Sequence, residues 1–278
     1  MNAARSRNSV WLMIYVVAYV FFLYLPIAII PLFSFNNSIQ AAFPLSGFTF
    51  EWYRSLVGNE NLHRAFETSL IVGLSAAFLA TTIGVTVGYM EIAAGDRISR
   101  AISALARLPI LIPGVIVGIA LLILVNLAGL GPSRIAIVLG HTLVALPTAV
   151  VIMRSRFAGL PKSFTEVAMD LGAHEWTTFR RIILPLAAPA IASSFMLSFL
   201  TSFDEFIVAF FLSGTEPTLP LYVWGQLRFP KALPSVMALG SVILLASIII
   251  ATAAEIIRRR GAAADDLPLT APGSLPIS

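Results

Sequence analysis

Residues 163–185 read SFTEVAMDLGAHEWTTFRRIILP, a charged segment that stands between strongly apolar parts of the chain. Ser163 and Glu166 have the spacing of a capping box, in which a hydroxyl and a carboxylate satisfy free backbone N–H groups at a helix start. Gly172 occupies the place of a left-handed residue that ends a helix. A second helical run follows and is predicted to stop at Pro185, because proline cannot donate a hydrogen bond in a helix interior. The segment is therefore predicted to form a helical elbow.

The composition of the whole chain indicates a membrane protein. Hydrophobic residues make up 58% of the 278 residues, charged residues only 12%, and the mean hydropathy is +0.90, which excludes an ordinary soluble domain. The chain has no cysteine, which excludes disulfide scaffolds, thiolate catalysis and cysteine metal sites. Its net charge of +4 comes mostly from basic residues beside apolar runs. The lipid bilayer is therefore an expected partner, and nucleic acid is not.

The apolar runs predict an all-α integral membrane protein with six transmembrane helices, because about 20 helical residues cross a bilayer core of about 30 Å. The runs cover residues 10–35, 68–90, 108–133, 135–153, 182–212 and 232–254. In the second run, small residues recur every fourth position and predict a face for close helix packing: Ala76, Ala80, Gly84 and Gly88. The loop before it, residues 36–67, is predicted to lie outside with a short surface helix whose Trp52 and Tyr53 suit a membrane–water interface.

The distribution of basic residues predicts the orientation of these spans. With the N-terminus inside, the inner segments hold thirteen Lys and Arg residues and the outer segments hold five. This bias follows the positive-inside rule and puts the elbow in the cytoplasm. It predicts a cytoplasmic N-terminus (1–9), a six-span domain (10–256) and a cytoplasmic, disordered tail (257–278).

Six residues of the elbow match the E-A-A, three residues, G, nine residues, I-x-L-P signature of permease subunits in binding-protein-dependent ABC importers: Glu166, Ala168, Gly172, Ile182, Leu184 and Pro185. The chain resembles this family, with Val167 where the pattern has its first Ala. The resemblance implies a type I importer permease, whose cytoplasmic coupling loop, here about 154–187, inserts into a cleft on an ATP-binding subunit. There Glu166 would make a polar contact and Gly172 would let the elbow turn. Asp170 lies four residues after Glu166 and therefore shares its helical face. Two charges on a merely solvated surface would show the same spacing.

The resemblance also implies partners: a second homologous permease, two ATP-binding subunits and an extracytoplasmic solute-binding protein. The chain has no G-x-x-x-x-G-K-[ST] loop, so it is expected to be no enzyme and to leave ATP and Mg to the partner ATPase. The pair His174–Glu175 begins like a zinc-protease motif but lacks the second His at the required spacing. We expect no metal, no catalytic residue and no cofactor in this chain.

Asp204 and Glu205 interrupt the fifth apolar run. A carboxylate inside a span costs at least about 2.5–3.5 kcal/mol on insertion scales, so it normally faces the bundle interior, a partner or water. One interpretation is a structural pair satisfied by hydroxyls such as Thr201 and Ser202, or by an arginine of another subunit. The other is an acidic site on the pathway of a cationic solute.

Three phrases favour the second interpretation: SFDEFIVAFFLSG, FTFEWYRSL and LPILIPGVIVGIALL. They are similar to the polyamine branch of these permeases, in which an acidic pair commonly occupies this place. The resemblance thus implies putrescine or spermidine as the solute, although the branch includes relatives for other small solutes. A cation-coupled secondary transporter that uses Asp204 and Glu205 is the alternative, but no inverted repeat is visible. A membrane enzyme lacks a second catalytic element.

Overall fold

The computed structural model describes residues 2–265, and no β-strand occurs within this range. In chain order the helices are α1 (Asn2–Ser34), α2 (Glu51–Val57), α3 (Glu60–Ala94), α4 (Arg97–Arg107), α5 (Gly114–Leu127), α6 (Arg134–Ala158), α7 (Ser163–Asp170), α8 (Glu175–Thr178), α9 (Leu184–Phe203), α10 (Ile207–Leu212), α11 (Leu219–Gln226) and α12 (Leu233–Asp265). Two 3₁₀ turns (Leu108–Leu111 and Pro230–Ala232) and one π-helical turn (Phe179–Ile183) complete the regular structure.

The chain divides into two compact units. The first contains α1, α2 and α12, and α12 packs against both of the other helices. The second runs from Asn59 to Gly225 and is built around α3, α6 and α9. The short helix α2 confirms the surface helix predicted between the first two spans.

The core of the second unit depends on small residues where α3 meets α6. Ala80 and Ala149 are fully buried, and a Cβ placed on Gly84 would lie 2.9 Å from the backbone carbon of Ala149. A Cβ on Gly88 would lie 2.8 Å from the backbone nitrogen of Arg154. Glycine is needed here because the two backbones approach too closely for any side chain. The small-residue face predicted for the second span is confirmed, and α6 is its partner.

By length and composition, five stretches of the described chain could cross a membrane: Trp11–Ser34, Glu60–Ala94, Arg134–Ala158, Glu175–Phe203 and Pro230–Ile249. A sixth crossing exists if the pair Arg97–Leu111 and Gly114–Leu127, which is bent by 111°, forms one span. Within the third span predicted over 108–133, the α-helix covers only Gly114–Leu127, and a 3₁₀ turn precedes it. Ile112 is extended, with φ −97° and ψ 129°, because the ring of Pro113 disfavours helical geometry in the residue before it.

The fifth span also differs from its prediction at both ends. Its helix passes through Pro185, because the π turn Phe179–Ile183 precedes the proline and Leu184 N–H donates to the Phe179 carbonyl. A proline is tolerated in the first turn of the α-helix that follows. At the other end, α9 stops at Phe203 and α10 begins only at Ile207.

The last helix extends beyond the predicted end of the sixth span. It runs to Asp265, so that the first part of the segment predicted to be a disordered tail is helical. Its sequence RRRGAAAD is rich in alanine and arginine, both of which favour helix. The rest of that prediction, for 266–278, lies outside the described residues.

Candidate coupling loop and pathway residues

The first arm of the elbow is α7, which ends in a Schellman motif. Gly172 has φ +82°, its N–H donates to the Met169 carbonyl at 2.9 Å, and the Ala173 N–H donates to the Ala168 carbonyl at 2.9 Å. Two carbonyls at the helix end are thereby satisfied, and glycine adopts this left-handed conformation without strain. The role of Gly172 as a helix stop is confirmed.

The start of α7 differs from its prediction. Lys162 occupies the N-cap position without a side-chain bond, and Ser163 is already the first helical residue. Backbone groups satisfy the turn instead, since the Glu166 N–H donates to the Lys162 carbonyl at 3.1 Å. The predicted capping box does not form, so the carboxylate of Glu166 is not used as a cap. Glu166 is exposed in the first turn of α7.

The surface of α7 combines carboxylates with exposed apolar side chains. Glu166 and Asp170 are exposed, whereas Ala168 between them is buried. Val167 is 56% exposed and Leu171 is 83% exposed. Apolar side chains left uncovered on an otherwise polar loop are typical of a surface that another protein covers.

An aromatic and aliphatic joint connects the elbow to the spans. Tyr89 of α3 contacts Phe179 of the π turn and Phe157 of α6, with ring centroids 4.4 and 5.5 Å apart. Ile183 of the π turn and Ala187 of α9 are buried beside them. Leu184 is half-buried and Pro185 exposed. Packed side chains therefore connect the loop to three spans.

A cavity of about 1730 Å³ opens between α3, α9 and the elbow. Side chains of the two spans line most of it, Phe78, Thr82 and Phe195 among them. At its elbow end it is lined by Glu166 and Arg180, residues of opposite charge.

The structure contains an ion cluster that no local sequence pattern predicts. Glu91 of α3 is only 7% exposed and accepts a hydrogen bond from Arg154 Nε of α6 at 2.7 Å. Arg107 Nη2, at the end of α4, lies 3.9 Å from the other carboxylate oxygen. The partners are 63 and 16 residues away from Glu91 in sequence, so no local pattern relates them. The cluster ties three helices together next to the elbow.

Asp204 and Glu205 lie in the break between α9 and α10, not inside a helix as the sequence suggested. Asp204 is exposed and caps the end of α9. Glu205 is half-buried, and its Oε1 accepts the Val208 N–H at 3.0 Å in the first turn of α10. Because the helix is interrupted at this acidic pair, neither carboxylate belongs to a continuous helical surface.

The hydroxyls proposed to satisfy this pair are engaged elsewhere. Thr201 Oγ1 donates to the Leu197 carbonyl at 2.9 Å, and Ser202 Oγ lies 2.8 Å from Nδ1 of His141. His141 is fully buried in α6, so the bond to Ser202 fixes the last turn of α9. Neither hydroxyl therefore satisfies the acidic pair, and Glu205 is bonded instead to the start of α10.

The chain is similar to one family of transport proteins, to named relatives in sequence and to a solved structure in fold. The family model described as "Binding-protein-dependent transport system inner membrane component" matches residues 80–261. The spermidine/putrescine transport system permease protein PotC of Escherichia coli (strain K12) is 34% identical over 239 residues, covering 86% of this chain and 90% of that protein. The putrescine transport system permease protein PotI of the same strain is 32% identical over 252 residues, covering 88% and 89%. A bacterial ABC transporter involved in the import of the acidic polysaccharide alginate has a similar fold, with TM-score 0.71 and 15% identity, covering 93% of this chain and 98% of that one.

Proposed function

Since the chain belongs to the family of inner membrane components of binding-protein-dependent transport systems, we propose that it forms half of the solute pathway of an ABC importer for a polyamine such as putrescine or spermidine. Similarity to the spermidine/putrescine and putrescine permeases over most of the chain carries the proposal for the solute. Membership of this family supports the assignment of the chain to an importer.

The elbow is the proposed contact with a separate ATP-binding subunit. The exposed Val167 and Leu171 would enter an apolar cleft, and the carboxylate of Glu166 would bind a donor at its rim. Ala168 and Gly172 would act indirectly, the first by packing beneath α7 and the second by ending it. Leu184 and Pro185 would hold the start of α9 in the direction that the elbow needs. In this proposal ATP and Mg bind to the partner ATPase and not to this chain.

In the same proposal, Asp204 and Glu205 line the pathway at the break between α9 and α10. Carboxylates that no helical neighbour neutralises favour a cation over an anion of equal size. A polyamine carries its charge on ammonium groups, which donate hydrogen bonds and suit such acceptors. An importer of another small solute is the second candidate, because family membership alone does not select the solute.

The proposed assembly contains a second, homologous permease, two ATP-binding subunits and an extracytoplasmic solute-binding protein. The chain would sit in a bacterial inner membrane with both termini in the cytoplasm. Closure of the ATPase dimer would move the elbow, and the packed joint at Tyr89 and Phe179 would pass that movement to α3, α6 and α9. The break at Asp204 and Glu205 would then be open to each side of the membrane in turn.

The test is the ATPase activity of the complex purified through this chain and reconstituted in lipid with its solute-binding protein. The solute panel contains putrescine, spermidine and neutral and anionic controls. Stimulation by polyamines alone supports the whole proposal. Stimulation by another solute retains the importer and rejects the polyamine. An intact, folded preparation without any ATPase rejects the coupling role of the elbow.

A further inference from the structure

The segment that follows α1 is a compact loop held by one buried asparagine. Asn36 is 1% exposed; its Oδ1 accepts the Ser46 N–H at 2.9 Å and its carbonyl accepts Trp52 Nε1–H at 2.8 Å. The Thr49 N–H donates to the Phe35 carbonyl at 2.8 Å, which fastens the far side of the loop to the end of α1. These bonds give the loop a defined shape.

This rigid loop holds three phenylalanine rings outward. Phe43, Phe48 and Phe50 are 68%, 77% and 66% exposed. Phe43 packs edge-on against Phe33 with centroids 5.1 Å apart, and Phe50 packs edge-on against Phe35 at 5.3 Å. Phe50 also contacts Tyr53, with ring centroids 6.2 Å apart, yet each of these two rings keeps about two thirds of its surface exposed.

The two polar aromatic residues of the same segment form hydrogen bonds within it. Trp52 donates to the Asn36 carbonyl, and the Tyr53 hydroxyl lies 2.6 Å from the Ser34 hydroxyl. Trp52 and Tyr53 were expected from the sequence to face the membrane–water interface, and both are half-buried. The rings that this loop offers to its surroundings are therefore the apolar phenylalanines.

The surroundings of the loop follow from the helix to which it is joined. The membrane-crossing part of α1, Trp11–Ser34, has a mean hydropathy of 2.4, and no residue of its most apolar window is buried by the described chain. No Asp, Glu, Lys, Arg or His occurs from residue 8 to residue 50, so the loop continues the uncharged surface of the span beyond its end. An uncharged segment can approach lipid without the cost of burying a charge, and exposed phenylalanine rings gain from burial at the boundary between headgroups and acyl chains.

We propose that the loop 39–50 lies on the bilayer surface at the end of α1, with Phe43, Phe48 and Phe50 inserted among the lipid headgroups and upper acyl chains. The rings act as a fixed wedge, because the Asn36 bonds hold them before they meet the lipid. The loop thereby sets the depth at which α1 ends, and a helix of this length needs such an anchor, since its apolar residues could otherwise slide or tilt in the bilayer.

The test measures the depth of single spin labels by electron paramagnetic resonance. The chain has no cysteine, so Phe48→Cys and Phe43→Cys can each be labelled alone in the complex purified through this chain and placed in phosphatidylcholine nanodiscs. Label treatment of the complex with unaltered chain measures any background from partner cysteines. Collisions with oxygen report lipid, and collisions with a water-soluble nickel chelate report water.

Phe22→Cys in the middle of α1 serves as the lipid reference and Glu60→Cys, at the exposed start of α3, as the water reference. We expect the oxygen-to-nickel collision ratio at positions 43 and 48 to be several-fold above that at Glu60→Cys and below that at Phe22→Cys. A ratio equal to that of the water reference overturns the proposal. So do low collision rates with both reagents, because a partner subunit would then cover the loop. Label depth is independent of the transported solute, so this result stands apart from the polyamine assignment.

Discussion

Replacement of Gly84 by alanine tests whether the contact between α3 and α6 holds the core together. The new Cβ would lie 2.9 Å from both the backbone carbon and the Cβ of Ala149, whereas carbon atoms pack at about 3.5–4.0 Å. The obstacle includes backbone, so the two helices must separate by up to about 1 Å. Such overpacking costs about 2 kcal/mol in the middle of its usual range, and replacing a helical glycine by alanine returns about 1 kcal/mol, which leaves a net loss of about 1 kcal/mol.

The matched control is Gly225→Ala, because no atom lies within 4 Å of a Cβ built there and its φ is not positive. We expect Gly84→Ala to lower the free energy of unfolding by about 1 kcal/mol and the midpoint of thermal unfolding by roughly 2–4 °C. Gly225→Ala should leave the midpoint unchanged or raise it slightly. The assay is thermal unfolding of both variants in the same detergent, followed by intrinsic tryptophan fluorescence. If both variants unfold at the same temperature, the close contact at Gly84 does not stabilise this fold.

Four further changes test the ion cluster, the elbow and the pathway. Glu91→Gln should lower stability in the same thermal assay by about 1–2 kcal/mol, less than a fully buried pair would, because Arg107 and Arg154 remain 34% and 43% exposed; an unchanged midpoint would show that the cluster contributes nothing. Glu166→Ala should reduce solute-stimulated ATP hydrolysis while leaving the chain in the membrane, and normal hydrolysis and uptake would remove its assigned role. Gly172→Asn should keep more stimulated ATPase activity than Gly172→Val, because asparagine tolerates positive φ and a β-branched residue does not; equal activities would contradict a requirement for that conformation. Asp204→Asn should lower putrescine uptake in proteoliposomes more than it lowers recovery of the assembled complex, whereas loss of the complex itself would favour a structural role.

Several features of the fold could be predicted from sequence because they depend on local patterns. The positions of α1 and α6 follow from uninterrupted apolar runs, and the left-handed Gly172 follows from the need to end α7 before a second helix begins. The four-residue spacing that includes Gly84 and Gly88 predicted a close helix contact, although only the structure identifies α6 as the partner.

Other features could not be predicted because they depend on residues far apart in sequence. Glu91 meets Arg154 only after α3 and α6 have packed, and His141 meets Ser202 only when α6 lies beside α9. No periodicity in the sequence marks either pair.

The helix ends were the least predictable elements, because alternatives of similar free energy compete there. Ser163 could have capped α7, but the backbone of Lys162 satisfies the same N–H groups. Pro185 could have ended the helix, but the π turn before it places the proline in the first turn of α9, where its missing N–H has no helical partner to lose. The helical elbow was thus predicted at the right place in the chain, whereas the geometry of its helix ends was not.

The π turn Phe179–Ile183 fixes the angular phase between the elbow and the rest of the span. Each residue of an α-helix advances the chain by about 100° around the axis and 1.5 Å along it, and a π turn accommodates an additional residue within one turn. Because the wider turn absorbs that residue, α7 and α8 keep nearly the direction that a helix one residue shorter would give them. If the same residues were wound as a regular α-helix, α7 and α8 would instead be turned about 100° around the axis of α9, so the direction in which the elbow points depends on this turn.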